Sequence, residues 1–235
     1  MQEYHTRISQ YKAGIIAGTA ILIMTIAAVV STDLTIGTLV VDNDPEATFN
    51  GFRNNPLLFR TGIFSWIIVL ICDLIIAWAL YIYFRKVDHY LSLIAAWTRL
   101  IYTGLLGTAI AKLTHIGLMQ SQQKLTGVIP EYFITETWLY YEGFHAIWSV
   151  GLLIFGFHIV LLGMLSFKSG SVPKWLAIPL ILGGVGYILV YSLKLFLTNH
   201  DLVSILEWIF ILPMLFEVIL GIRLLIRSRK SRKVD

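Results

Sequence analysis

Six apolar stretches, at 13–31, 61–84, 90–119, 137–167, 175–198 and 202–226, dominate this chain. Each reaches or approaches the ~20 residues that an α-helix needs to cross the hydrocarbon core of a bilayer. Chain in hydrocarbon must satisfy its own backbone, so the pattern predicts six transmembrane helices in an all-α, polytopic bundle. Composition points the same way. Of 235 residues, 57% are hydrophobic and 14% charged, whereas a soluble domain has roughly 25% charged. The 90–119 and 137–167 stretches exceed one crossing, which predicts tilt or projection beyond the bilayer. No length remains for a separate soluble domain, so residues 1–235 are read as one transmembrane domain.

Punctuation supports this division. Asn55-Pro56 leads into the second stretch, and Pro173, after Ser169-Gly170-Ser171, into the fifth. Asp44-Pro45-Glu46-Ala47 predicts a short amphipathic helix inside the long 32–60 loop. The first stretch has an apolar run longer than a signal-peptide core, so it is expected to remain in the mature protein. Cys72 is the one cysteine, which excludes an intrachain disulfide and a cysteine-based metal cage.

Lysine and arginine placement orients the chain. Eleven lie in the N-terminus, the second–third and fourth–fifth connections and the 227–235 tail; three, Arg53, Arg60 and Lys124, lie on the other side. Both termini are therefore expected in the cytoplasm, at the inner membrane of a bacterium. The Arg227–Lys233 run reads as a segment facing anionic lipids rather than nucleic acid. Small-residue faces at Gly14-x-x-x-Gly18, Gly104-x-x-x-Thr108 and Gly183-Gly184-x-Gly186 predict close helix packing within the chain, with a homo-oligomer or membrane partner as the sharper alternative.

The apolar stretches also carry ionisable residues, each costly in hydrocarbon. Counting ~1.5 Å per residue from the helix ends places Asp73, Arg99, His158 and Glu217 on one level, roughly 13–17 Å in. They come from four different helices and, facing inward, make one buried polar cluster. It is the expected binding site, with Arg99 as anion or carboxylate clamp and His158 as protonation switch. Nearer the outer face, Lys194 and Glu207 flank the Asn199-His200-Asp201 turn and are expected to form a structural ion pair. His115, Glu142 and His145 have the ligand types for zinc or iron. Lys112 lies beside them and would repel a cation. Haem is disfavoured, because His145 and His158 point about 140° apart on an ideal helix. No cofactor is expected.

The motifs of nucleotide-binding loops, zinc proteases and serine hydrolases are absent from the sequence. The ordered set Arg60-Thr-Gly-Ile with Asp73, Leu91-Ser-Leu-Ile-Ala-Ala-Trp-Thr-Arg99, Phe155-Gly-Phe-His158, Ser169-Gly-Ser-Val-Pro173 and Gly184-Val-Gly-Tyr187 resembles the bacterial membrane family catalogued as domain of unknown function 4386. The likeness runs from about Tyr11 to Arg227. It implies a multi-pass membrane protein and transfers no mechanism. Asp73, Arg99 and His158 fall within matching stretches; His115 does not. The function expected is non-enzymatic binding or passage of a small solute or a proton. The alternatives are an intramembrane metalloenzyme at His115, Glu142 and His145, and a structural or accessory subunit.

Overall fold

The structure, a computed structural model, describes residues 9–126, 130–196 and 212–231. Among the described residues, seven α-helices of ten residues or more follow in order: α1 Gln10–Ser31, α2 Pro45–Asn54, α3 Pro56–Phe84, α4 His89–Thr126, α5 Pro130–Lys168, α6 Lys174–Phe196 and α7 Leu212–Ser231. Among the described residues, five helices are long and apolar enough to cross a membrane, with α1 counted through to Leu39. The sixth expected stretch is described only from Leu212, in α7; residues 202–211 lie outside the described residues.

The 32–60 segment, expected as a loop with one short helix, is mostly helical. From α1 the chain continues through a π-helical turn, Thr32–Ile36, and a last turn, Gly37–Leu39. Hydroxyls support the widened turn: Thr32 Oγ1 donates to Ala28 O (2.9 Å), and Thr35 Oγ1 to Val30 O (2.8 Å) and Ser31 O (3.0 Å). Asp44 caps α2, its side chain accepting from Ala47 N at 2.9 Å, with Pro45 at the first helical position. Asn55 Nδ2 donates back to Gly51 O at 3.0 Å, so this side chain closes α2 rather than capping α3. Pro173 provides the carbonyl that accepts from Leu176 N and Ala177 N, and α6 starts one residue later.

The residues divide by contacts into two units, and α1, α3, α4 and α5 each contribute to both. One unit comprises 1–22, 72–101 and 152–235. Its buried core includes Ala17, Ile21, Ile76, Phe84, Leu176 and Leu220. Small residues let its helices approach closely. A methyl on Gly18 would meet the Gly221 carbonyl and Leu225, and one on Gly14 would meet Tyr83 and Ser228. Gly156 and Gly184 stand backbone against backbone between α5 and α6. The Gly14/Gly18 and Gly184 faces are thus used inside the chain, as packing of small residues between helices requires. The second unit comprises 23–71 and 102–151. Its core gathers aromatic rings: Phe52 stacks on Phe59 (4.4 Å between centroids), and Trp66 meets Trp148 edge-on (4.9 Å). Gly104 has open space where a Cβ would stand.

Candidate functional site

The α3–α4 hairpin sets the site. Val87 N and Asp88 N both bond to Phe84 O, closing the turn, and Asp88 Oδ1 accepts from Leu91 N at 3.0 Å as the cap of α4. Asp73 lies about three turns before this corner and Arg99 about three turns after it, so the two are level across the hairpin. Arg99 Nε (2.9 Å) and Nη2 (2.6 Å) both donate to Asp73 Oδ1. Arg99 Nη1 donates to Glu217 Oε1 of α7 at 2.6 Å and lies 3.1 Å from His158 Nε2 of α5. All four residues are buried, none more than 3% exposed. Arg99 Cζ lies over the Phe155 ring, 5.4 Å from its centroid.

His158 Nδ1 lies 2.8 Å from Ala95 O. A carbonyl only accepts, so Nδ1 carries the hydrogen; a guanidinium only donates, so Nε2 accepts from Arg99. The ring is then the neutral Nδ1–H tautomer with both nitrogens engaged, an assignment made from partners. Ala95 stands one turn before Arg99, and its small side chain leaves the backbone open to the imidazole.

The carboxylates are not equally satisfied. Because Nε and Nη2 both bond to Oδ1, Asp73 Oδ2 is buried without a hydrogen-bond partner among the described residues. A buried, unpaired carboxylate oxygen is expensive. The cluster holds two carboxylates, one guanidinium and a neutral imidazole, so one formal negative charge is in excess. A void of about 10 Å³ adjoins it, lined by His158, Phe84, Ser92, Ala95 and Leu162 among others. That is the lower limit for one water molecule.

Phe155 was not singled out as a site residue in the sequence. Its place one turn before His158 on α5 was the available signal. The Lys168–Asp88 pair was missed as well: Lys168 Nζ reaches Asp88 Oδ2 at 2.9 Å. That hydrogen bond, then the one from Leu91 N, holds the Asp88 carboxyl below the ordinary aspartate range.

The other expected sites fare differently. Among the described residues, no three histidine, cysteine or acidic side chains come close enough to hold a metal ion. His115, Glu142 and His145, the expected zinc or iron ligands, form no such group. His115 is exposed and stacks on Tyr140 (4.4 Å, 28°), and Glu142 is exposed. His145 meets Tyr141 edge-on at 4.6 Å. Lys112 Nζ lies 5.2 Å from the Tyr140 centroid. The i, i+3 spacing does put Glu142 and His145 on neighbouring positions, and each histidine meets a tyrosine ring. Glu207 lies outside the described residues; its expected partner Lys194 places Nζ 5.9 Å from the Tyr191 centroid.

Comparison with known proteins adds a family and a relative. The family described as Domain of unknown function (DUF4386) matches residues 16–228, which include all four members of the cluster. An uncharacterized protein of Archaeoglobus fulgidus is 29% identical over 128 residues, 54% of this chain and 62% of that protein. The match thus spans less than two thirds of the relative's length. No solved structure matches the chain.

Proposed function

Because the chain belongs to the Domain of unknown function (DUF4386) family, whose description names no activity, we propose a role from the site itself. The protein is a multi-pass membrane protein in which Asp73 takes up and releases a proton beside Arg99, His158 and Glu217. Six spans with both termini cytoplasmic, in a bacterial cytoplasmic membrane, fit the eleven-to-three division of basic residues.

The observation that carries this reading is the buried Asp73 Oδ2 without a partner. A proton there would turn a costly acceptor into a donor and cancel the excess negative charge. His158 is the poorer acceptor, since Ala95 O and Arg99 Nη1 already occupy its two nitrogens. Between the two expected cargoes, the packing favours the proton. The cluster is closed on all members, and the adjoining void has room for a water but not for a solute. Arg99 then acts as the fixed positive charge that holds the acids in place rather than as a clamp on an incoming anion.

The test is a pH-difference infrared spectrum of the purified protein. The expected result is a protonated-carboxyl band from a buried acid that titrates in the native protein and is lost in Asp73→Asn. A spectrum without such a band, or one identical in Asp73→Asn, ends the proton reading and leaves the cluster a device that fixes helix register.

A further inference from the structure

Two arginines of α7 converge on one uncharged oxygen. Arg223 Nε and Nη2 donate to Ser171 O at 3.3 and 3.0 Å, and Arg227 Nη1 donates to the same atom at 2.9 Å. The pair is i, i+4, on one helix face, where like charges repel. A carbonyl oxygen has two lone pairs, so three donors overfill it. Its partial charge does not balance two full positive charges. No carboxylate among the described residues bonds to either arginine: Glu217 of the same helix is taken by Arg99, and Asp88 by Lys168.

The loop that brings them together is built, not loose. Ser169 Oγ donates to Ser166 O at 2.7 Å, accepts from Ser171 N at 3.2 Å and pairs with Ser171 Oγ at 2.9 Å. Gly170 takes a positive φ of 60°, which fits glycine and lets the chain double back so that Ser171 O faces α7. The serine hydroxyls are thus spent within the loop. The arginines are not: each guanidinium has five N–H donors in a planar fork, and three of these ten are used on Ser171. Arg223 is half-buried and Arg227 exposed.

We infer that Arg223 and Arg227, held by the Ser169–Ser171 loop, form a binding site for a phosphate group. Paired forks match the tetrahedral oxygens of phosphate, and bonds between ions are the strong ones. The group is that of an anionic lipid headgroup or a free phosphate. Lys168 and Lys174 flank the loop in sequence, with Lys168 paired to Asp88 and Lys174 over the Phe167 ring.

The experiment uses the purified full chain in phosphatidylcholine nanodiscs. Rising phosphatidylglycerol content and, separately, inorganic phosphate are titrated against thermal midpoint. Two double variants of equal charge are compared, R223Q/R227Q and R229Q/K230Q. The site predicts half-saturation weakened about fivefold per arginine removed in the first, and a smaller loss in the second. A response to phosphatidylglycerol alone assigns the headgroup; an equal response to inorganic phosphate assigns the free anion; both support the site. Equal losses in the two variants mean diffuse attraction by the basic tail and overturn it, as does a native protein that responds to neither probe. If R223Q/R227Q fails to fold, Arg227→Gln decides alone, because Arg223 keeps both of its bonds to Ser171.

Discussion

Two sets of ionisable residues sit in these apolar helices, and they are solved in opposite ways. Asp73, Arg99, His158 and Glu217 are buried and bonded to one another through Arg99. Among Lys112, His115, Glu142 and His145, aromatic rings meet the lysine and the two histidines, while His115 and Glu142 are exposed. Helix length explains the contrast. α4 and α5 have 38 and 39 residues, about 57 Å each at 1.5 Å per residue. A bilayer's hydrocarbon core is ~30 Å thick. Counted from the His89 and Lys168 ends, Arg99 and His158 fall at roughly 15 Å, the middle of such a core. Lys112, His115, His145 and Glu142 fall at roughly 35–39 Å, farther along than such a core is thick. Charge inside such a core must be paired; charge farther along the helices than a core is thick is free of that demand.

That contrast can be broken most severely at Arg99. Arg99→Leu strands two buried carboxylates and is expected to cost about 3–5 kcal/mol, read as a lowered unfolding midpoint in detergent. Replacing Asp73, Arg99 and Glu217 together by apolar residues should recover most of that loss; no recovery would mean the charges stabilise beyond their own pairing. Next in size, His158→Ala leaves Ala95 O and Arg99 Nη1 each short of a partner, a loss of about 1–3 kcal/mol. His158→Gln, which can donate and accept, should lose less.

On the other side of the comparison, His115→Phe preserves a ring on Tyr140 and should stay within about 0.5 kcal/mol. Zinc should not raise the midpoint of the native protein; a rise abolished by His115→Phe would place a metal at His115. The smallest effect is at the surface. The depressed Asp88 carboxyl contributes stability that is present above the ordinary aspartate range and lost as pH falls below it. Asp88→Asn should flatten the acid side of the midpoint–pH curve and leave neutral pH almost unchanged.

The two sets also mark how far the sequence could be read. Depth is one-dimensional: counting from helix ends put Asp73, Arg99, His158 and Glu217 level, and the structure brings those four side chains together. Rotation and helix length are harder. The i, i+3 spacing of Glu142 and His145 says that they share a face, not which neighbour that face meets. The apolar run at 137–167 hid the helix start at Pro130, seven residues earlier. Hydroxyl-supported turns hid the continuation of α1 past Ser31 for a similar reason: polar side chains that bond to the helix's own carbonyls read as loop in a hydropathy pattern. Atom-level facts, such as the lone Oδ2 of Asp73 or three N–H groups on Ser171 O, have no sequence signature at all.

The imidazole of His158 has a use that follows from its two partners. One ring nitrogen carries hydrogen toward Ala95 O and the other is bare toward Arg99. Such nitrogens resonate far apart in a nitrogen-15 spectrum. Any movement of Arg99 away from the ring would shift the bare nitrogen's line and leave the other nearly in place. The protein therefore carries, at the centre of its charged cluster, an internal label that reports rearrangement there without a mutation or an added probe.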